Sequence, residues 1–148
     1  MKTYKDIVDK FQRAAEYHTF IQSFGHGSLD KLNDATNQPY PLLWVRPMNS
    51  VGIQPHGQRT LTFEMYLLDV PKLDRSTDVT TMSDAERALY DVYAYFYDGA
   101  EQYDYGISMS TIIPVMEAFQ DRLFGWVATI DINTTSSGIT TCNIPTDV

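Results

Sequence analysis

The stretch "RTLTFEMYLLDV", Arg59–Val70, alternates: Leu61, Phe63, Met65 and Leu67 fall on one side, and Thr60, Thr62, Glu64 and Tyr66 on the other. A period of two sustained over that distance fits a β-strand that rests one face on a core and turns the other toward solvent. Its twelve residues are roughly double the usual strand length of about 5–6, so it bends or projects beyond its sheet. Just upstream, "YPLLWVRP" (Tyr40–Pro47) places Leu42 and Trp44 on one face and Leu43 and Val45 on the other. A strand apolar on both faces is covered on both. Pro41 and Pro47 restrict its ends. The two stretches, joined by the glycine-bearing connection "NSVGIQPHGQ", are expected to pair as an antiparallel hairpin.

Two helices accompany these strands. Across residues 3–22, a 100° turn per residue gathers Tyr4, Ile7, Val8, Phe11, Ala15 and His18 into one stripe. Lys5, Asp6, Asp9, Lys10, Arg13 and Glu16 take the other side, with Asp9 and Arg13 spaced as a helical ion pair. Gly25 and Gly27 in "FGHGS" are expected to break this helix. "LDKLNDATNQP" reads as a surface loop and "PKLDRSTDVTTM" as a linker without a period. "SDAE" has the form of a capping box, with Ser83 as N-cap and Glu86 reaching back. The helix that it starts, roughly 84–98, aligns Ala85, Leu89, Val92, Tyr93 and Phe96, sets Tyr90 and Tyr97 beside that stripe, and ends at Gly99.

"ISMSTIIPVMEAF" reads as a further strand, in which Pro114 argues for an edge or a bulge. A turn in "QDRLFG" at Gly125 leads to a last strand carrying Trp126, Ala128, Ile130 and Ile132 inward, and Val127, Thr129, Asp131 and Asn133 outward. "TTSSG" then reads as a turn or exposed loop, with Cys142 and Ile144 tucking a short tail back onto the sheet. The predicted order is α-β-β-α-β-β. It implies one α+β domain over residues 1–148, a mainly antiparallel four-stranded sheet with both helices on one face.

Composition narrows the chemistry. A net charge of −8 argues against nonspecific binding to duplex DNA or to an anionic membrane, both of which need basic patches. No apolar run reaches the roughly 18 residues of a bilayer span. The N-terminus carries charges throughout and lacks the apolar centre of a signal peptide, so the chain is expected to stay in the cytoplasm of the cell that makes it. The single cysteine, Cys142, permits no internal disulfide and no cysteine-built zinc site, and it has no neighbouring cation to activate it.

No catalytic constellation emerges. His18, His26 and His56 share no spacing that would hold a metal. Asp69, Asp74, Asp78, Asp84 and Asp91 lack the alternate-ligand pattern and fixed glycine of a calcium loop, and read as a solvated acidic surface. "GHGS" brings a serine near a histidine without the G-x-S-x-G form of a nucleophile elbow. No cofactor, metal or catalytic residue is therefore expected. The aromatic load says more: ten tyrosines and two tryptophans exceed the needs of one small core. Tyrosine favours interfaces because it buries area while keeping a polar tip.

Taken together, the leading amphipathic helix, "YPLLWVRP", "LTFEMYLLDV", "SDAERALYDVYAYF" and "PVMEAFQDRLFGWVATIDI…CNIP" resemble tail-terminator and neck (head–tail connector) proteins of tailed bacteriophages. The likeness is greatest to versions from phages of gut and environmental Bacteroidota, and it runs from the first helix to Pro145. Its most telling pieces are "YPLLW" and the turn formed by Phe119, Asp121, Arg122, Leu123, Gly125 and Trp126. The resemblance implies a non-enzymatic virion protein assembled in the host cytoplasm into a six- or twelve-fold ring. Its partners would be copies of itself, the tail tube and the portal or connector. DNA would pass through its lumen without specific binding, past acidic walls. A ring needs head-to-tail contacts between two different faces, and the candidate halves are Tyr90 and Tyr97 on the second helix, and Glu64 and Tyr66 on the long strand. The competing readings are a small cytoplasmic protein-binding or adaptor domain and, behind it, an enzyme assembled from dispersed acidic residues.

Overall fold

A computed structural model describes residues 3–34, 38–49, 52, 57–70, 78–100, 105–119 and 122–135. In chain order the elements are α1 (Tyr4–Tyr17), β1 (Ser23–His26), α2 (Leu29–Asp34), β2 (Leu42–Pro47), β3 (Gln58–Asp69), α3 (Asp78–Ala100), β4 (Tyr105–Ala118) and β5 (Leu123–Thr135). The fold is α+β, built on a five-stranded sheet ordered β1-β2-β3-β5-β4. β1 runs parallel to β2 and every other neighbour pair is antiparallel. The expected hairpin is present, pairing Leu42 with Leu68 through to Pro47 with Phe63.

The sheet separates two cores. On one face α1 contributes Ile7, Phe11, Ala14 and Ala15, and α3 contributes Ala85, Ala88, Leu89, Val92 and Phe96. They close over Leu43 and Val45 of β2, the Leu61–Leu67 row of β3, and Ala128, Ile130 and Ile132 of β5. Phe11 joins the two helices to the sheet, its ring 4.5 Å from Phe96 and 5.4 Å from Phe63. On the other face Leu32 of α2 lies with Leu42, Trp44, Tyr66, Leu68, Leu123 and Val127. The doubly apolar β2 is thus buried on both sides, as its sequence demands.

Several expectations need correction. The sheet has five strands and is mixed, because "SFGH" adds to β2 as a parallel edge strand where a helix break was expected. The first helix stops at Tyr17 and does not reach residue 22: His18 is extended (φ −79, ψ 129), and its Nδ1 accepts the Phe20 amide at 3.1 Å, a local bond that competes with further helix. Its start is fixed by a capping box between Thr3 and Asp6, and its surface pair is Lys5–Asp9 at 2.6 Å rather than Asp9–Arg13. "LDKLND" is no loop but the short helix α2, with Ser28 Oγ accepting the Lys31 amide at 3.3 Å. α1 and α3 do share a face, but this third helix covers the other.

The second long helix begins at Asp78, so Ser83 lies inside it and is not its N-cap, and part of the predicted linker is helical. Burial of Thr81, and the Trp126 indole N–H donating to the Met82 carbonyl at 2.8 Å, hold the added turns against β5. The helix also runs through Gly99 to Ala100. β4 is an edge strand with two register irregularities, in agreement with the reading of Pro114. The hairpin into β5 turns at Phe119 and Arg122, both at positive φ (66° and 51°), with the Arg122 amide donating to the Phe119 carbonyl at 3.2 Å. Gly125 therefore sits within β5, not in the turn. Both threonines of "TTSSG" belong to the end of β5. The rest of that stretch, with His56, Asp74, Asp121, Cys142 and Ile144, lies outside the described residues.

Candidate subunit interface

Tyr90 and Tyr97 stand on the solvent side of α3, 43% and 60% exposed. Seven positions are about two helical turns, which puts both on one ridge. The Tyr97 ring leans on half-buried Tyr93, with centroids 6.1 Å apart, so its direction is fixed while its face stays open. No shape requirement of the core accounts for either ring.

The β3 half differs. Glu64 and Tyr66 do point away from the Leu61–Leu67 row, but that second face is partly covered. Tyr66 is 7% exposed, lies in the α2-side core, and stands edge-on to Phe119 at 6.4 Å. Burial and the nearby Glu64 carboxylate raise its pKa, so the phenol keeps its proton and donates to Glu64 Oε2 at 3.3 Å. Glu64 is itself held by Arg46, Nη1 to Oε1 2.6 Å. What this face offers a neighbour is the Arg46–Glu64 pair with the adjoining polar ladder, Thr60 Oγ1 to Asn133 Oδ1 at 2.5 Å and Thr62 Oγ1 to Asp131 Oδ1 at 2.6 Å. The two candidate halves sit on opposite layers of the subunit, one on the side of α1 and α3 and the other on the side that α2 partly covers.

The described histidines are occupied. His18 Nε2 donates to Asp91 Oδ2 at 2.9 Å while its Nδ1 accepts from Phe20. Both of its ring nitrogens are therefore engaged within the chain. His26 Nε2 shares a short hydrogen bond with the Tyr4 hydroxyl. Burial and the charge of Lys31 lower the His26 pKa, and burial raises that of Tyr4. Both are neutral at physiological pH. Among the described residues no group of three His, Cys, Asp or Glu side chains could hold a metal ion. Asp69 caps the Val70 amide at 2.8 Å, Asp84 is exposed on α3, and Asp91 binds His18.

The lowered His26 pKa has a stability consequence. The unfolded chain takes up a proton near pH 6.5, whereas the folded chain resists it. Stability is therefore whole above that value and declines as pH falls through the window below it. Thermal melts of the wild type are expected to fall between about pH 7 and about pH 5, and His26→Gln should flatten that slope. An unchanged slope in the variant would assign the loss to other groups.

The sequence pattern does not announce β1, α2, the Tyr4–His26 pair or a groove beside β1. The signals for α2 are present in Ser28 followed by Leu29 and Leu32, one helical turn apart. No described helix is long and apolar enough to cross a membrane. Compared with known protein families and with curated proteins, the chain matches none.

Proposed function

We propose that this chain is a structural component of a tailed-phage virion, a non-enzymatic ring subunit that terminates the tail or joins it to the head. The reading rests on the sequence resemblance across the chain. The structural observation that favours it is the pair of exposed tyrosines on α3, set on the layer opposite the polar face of the sheet. A subunit with two unlike contact faces suits the head-to-tail packing that closes a ring. In that arrangement Tyr90 and Tyr97 are the anchors on one side, and the Arg46–Glu64 pair and threonine ladder meet them on the other. A chain with a net charge of −8 would give a lumen that repels the phosphate backbone and lets DNA slide.

The double variant Tyr90→Ala, Tyr97→Ala tests this directly. Buried interface tyrosines commonly cost about 2 kcal/mol or more each on truncation, so assembly is expected to weaken by well over an order of magnitude. The far-ultraviolet circular dichroism should hold, because both rings lie outside the core. Undiminished assembly would remove α3 from the interface.

A further inference from the structure

Among the described residues the sheet ends in two unpaired edge strands, and they are not alike. β4 carries Pro114 and two register irregularities, devices that keep edge strands from pairing with foreign chains. β1 carries none: Ser23–His26 holds no lysine, no proline and no bulge. The amides of Ser23 and Gly27 point inward, donating to the carbonyls of Pro41 and Val45 at 3.3 and 3.1 Å. In a parallel pair that register sends the N–H and C=O groups of Phe24 and His26 the other way, out from the sheet.

Beside this edge lies a cavity of about 510 Å³ between the C-terminal half of α1 and β1. Gln12, Glu16 and His18 form one wall and Gln22, Ser23 and Phe24 the other, and no β2 residue lines it. Gln12 Nε2 donates to Glu16 Oε1 at 3.2 Å, presenting the carboxylate to the groove. No lysine or arginine is among the described residues that line it. His18 brings Asp91 to the adjoining notch, which Tyr17 and Tyr95 also line. Tyr95 already holds a cation, Lys10 Nζ, 4.8 Å from its ring centre.

We propose that this groove binds an extended, basic segment of a partner protein, which adds to β1 as a sixth strand. The main chain of the segment pairs with Phe24 and His26, as strand-addition domains pair their ligands. Its lysine or arginine side chains reach Glu16 and, beyond His18, the acidic and aromatic notch. This inference stands apart from the ring, since it uses neither Tyr90 and Tyr97 nor the polar sheet face.

The test uses a dye-labelled, capped peptide of alternating lysine and threonine, titrated with the intact chain and followed by anisotropy and amide exchange. Binding should slow exchange at Phe24 and His26 and leave the β2 amides unchanged. A glutamate-for-lysine peptide should not bind. N-methylation at alternate residues, which removes main-chain donors, should weaken binding about tenfold, the equivalent of about 1.4 kcal/mol. Glu16→Lys should cost a similar factor, while the charge-matched control Asp34→Lys on exposed α2 should change affinity less than twofold, under about 0.4 kcal/mol. Equal losses in the two variants would mean that the peptide follows overall charge, and the groove would be discarded. An N-methylated peptide that binds as well as its parent would overturn strand addition, as would no binding at all. Concentration-dependent protection of Phe24 and His26 without peptide would also contradict it, giving the edge to a second copy of the chain.

Discussion

Gly125→Ala is expected to destabilise the fold by at least about 3 kcal/mol, combining overpacking with backbone strain. A Cβ at this position would stand 1.8 Å from the Leu67 carbonyl oxygen and 2.9 Å from its carbon. Those are backbone atoms of β3, the strand that pairs with β5 along its whole length from Gln58 to Asp69. They cannot swing aside as a side chain would. The glycine also sits at φ +159, at the margin of the region that side chains avoid. For a domain of this size the loss corresponds to a fall in melting temperature of about 10 °C. Gly106→Ala is the matched control: its Cβ would meet only Asn133 at 3.8 Å, an ordinary contact, and little change should follow. Equal melting of the two variants would show that β3 and β5 are not so closely apposed.

The second large effect is expected at Phe11. Its ring is fully buried and touches both Phe63 on the sheet and Phe96 on α3. Phe11→Ala should cost about 3–5 kcal/mol, a large share of the roughly 5–15 kcal/mol that holds an ordinary domain together. The variant should lose near-ultraviolet circular dichroism, or melt far below the wild type in urea. Phe11→Leu keeps most of the volume and should lose much less. If Phe11→Ala melts like the wild type, α1 is not clamped between sheet and α3.

These two positions also mark how much of the fold is legible in the sequence. Phe11 is legible because its stripe repeats at the helical period. β3 is legible because period-two alternation matches a strand and would scatter its apolar residues around a helix. β2 is legible because its short apolar run, bounded by prolines, is apolar on both faces. β1 is not: "SFGH" has four residues and no alternation, and it becomes a strand only because β2 offers a parallel partner. α2 is hidden by its six residues, too few for a periodic signal to rise above a polar loop.

The absence of α2 from the sequence pattern bears directly on the candidate site. Without a cover for the second face, Tyr66 reads as a surface residue, whereas with α2 and Phe119 in place it is core. The exposure of Tyr90 and Tyr97 depends only on angle around α3, so the helical period locates both. Glu64 faces the expected way, yet its bond to Arg46 comes from cross-strand register, which the single-strand pattern does not carry. Gly125 shows the opposite case. Its sequence context suggests a turn glycine, and its role is close backbone approach inside a strand.

Whether the chain closes into a ring is read from sedimentation velocity of the purified wild type at tens of micromolar. A ring subunit should sediment as one dominant closed species of six or twelve copies. The Tyr90→Ala, Tyr97→Ala variant should then run as a folded single chain. A wild type that stays monomeric across the whole concentration range, with its melting curve intact, would contradict the ring.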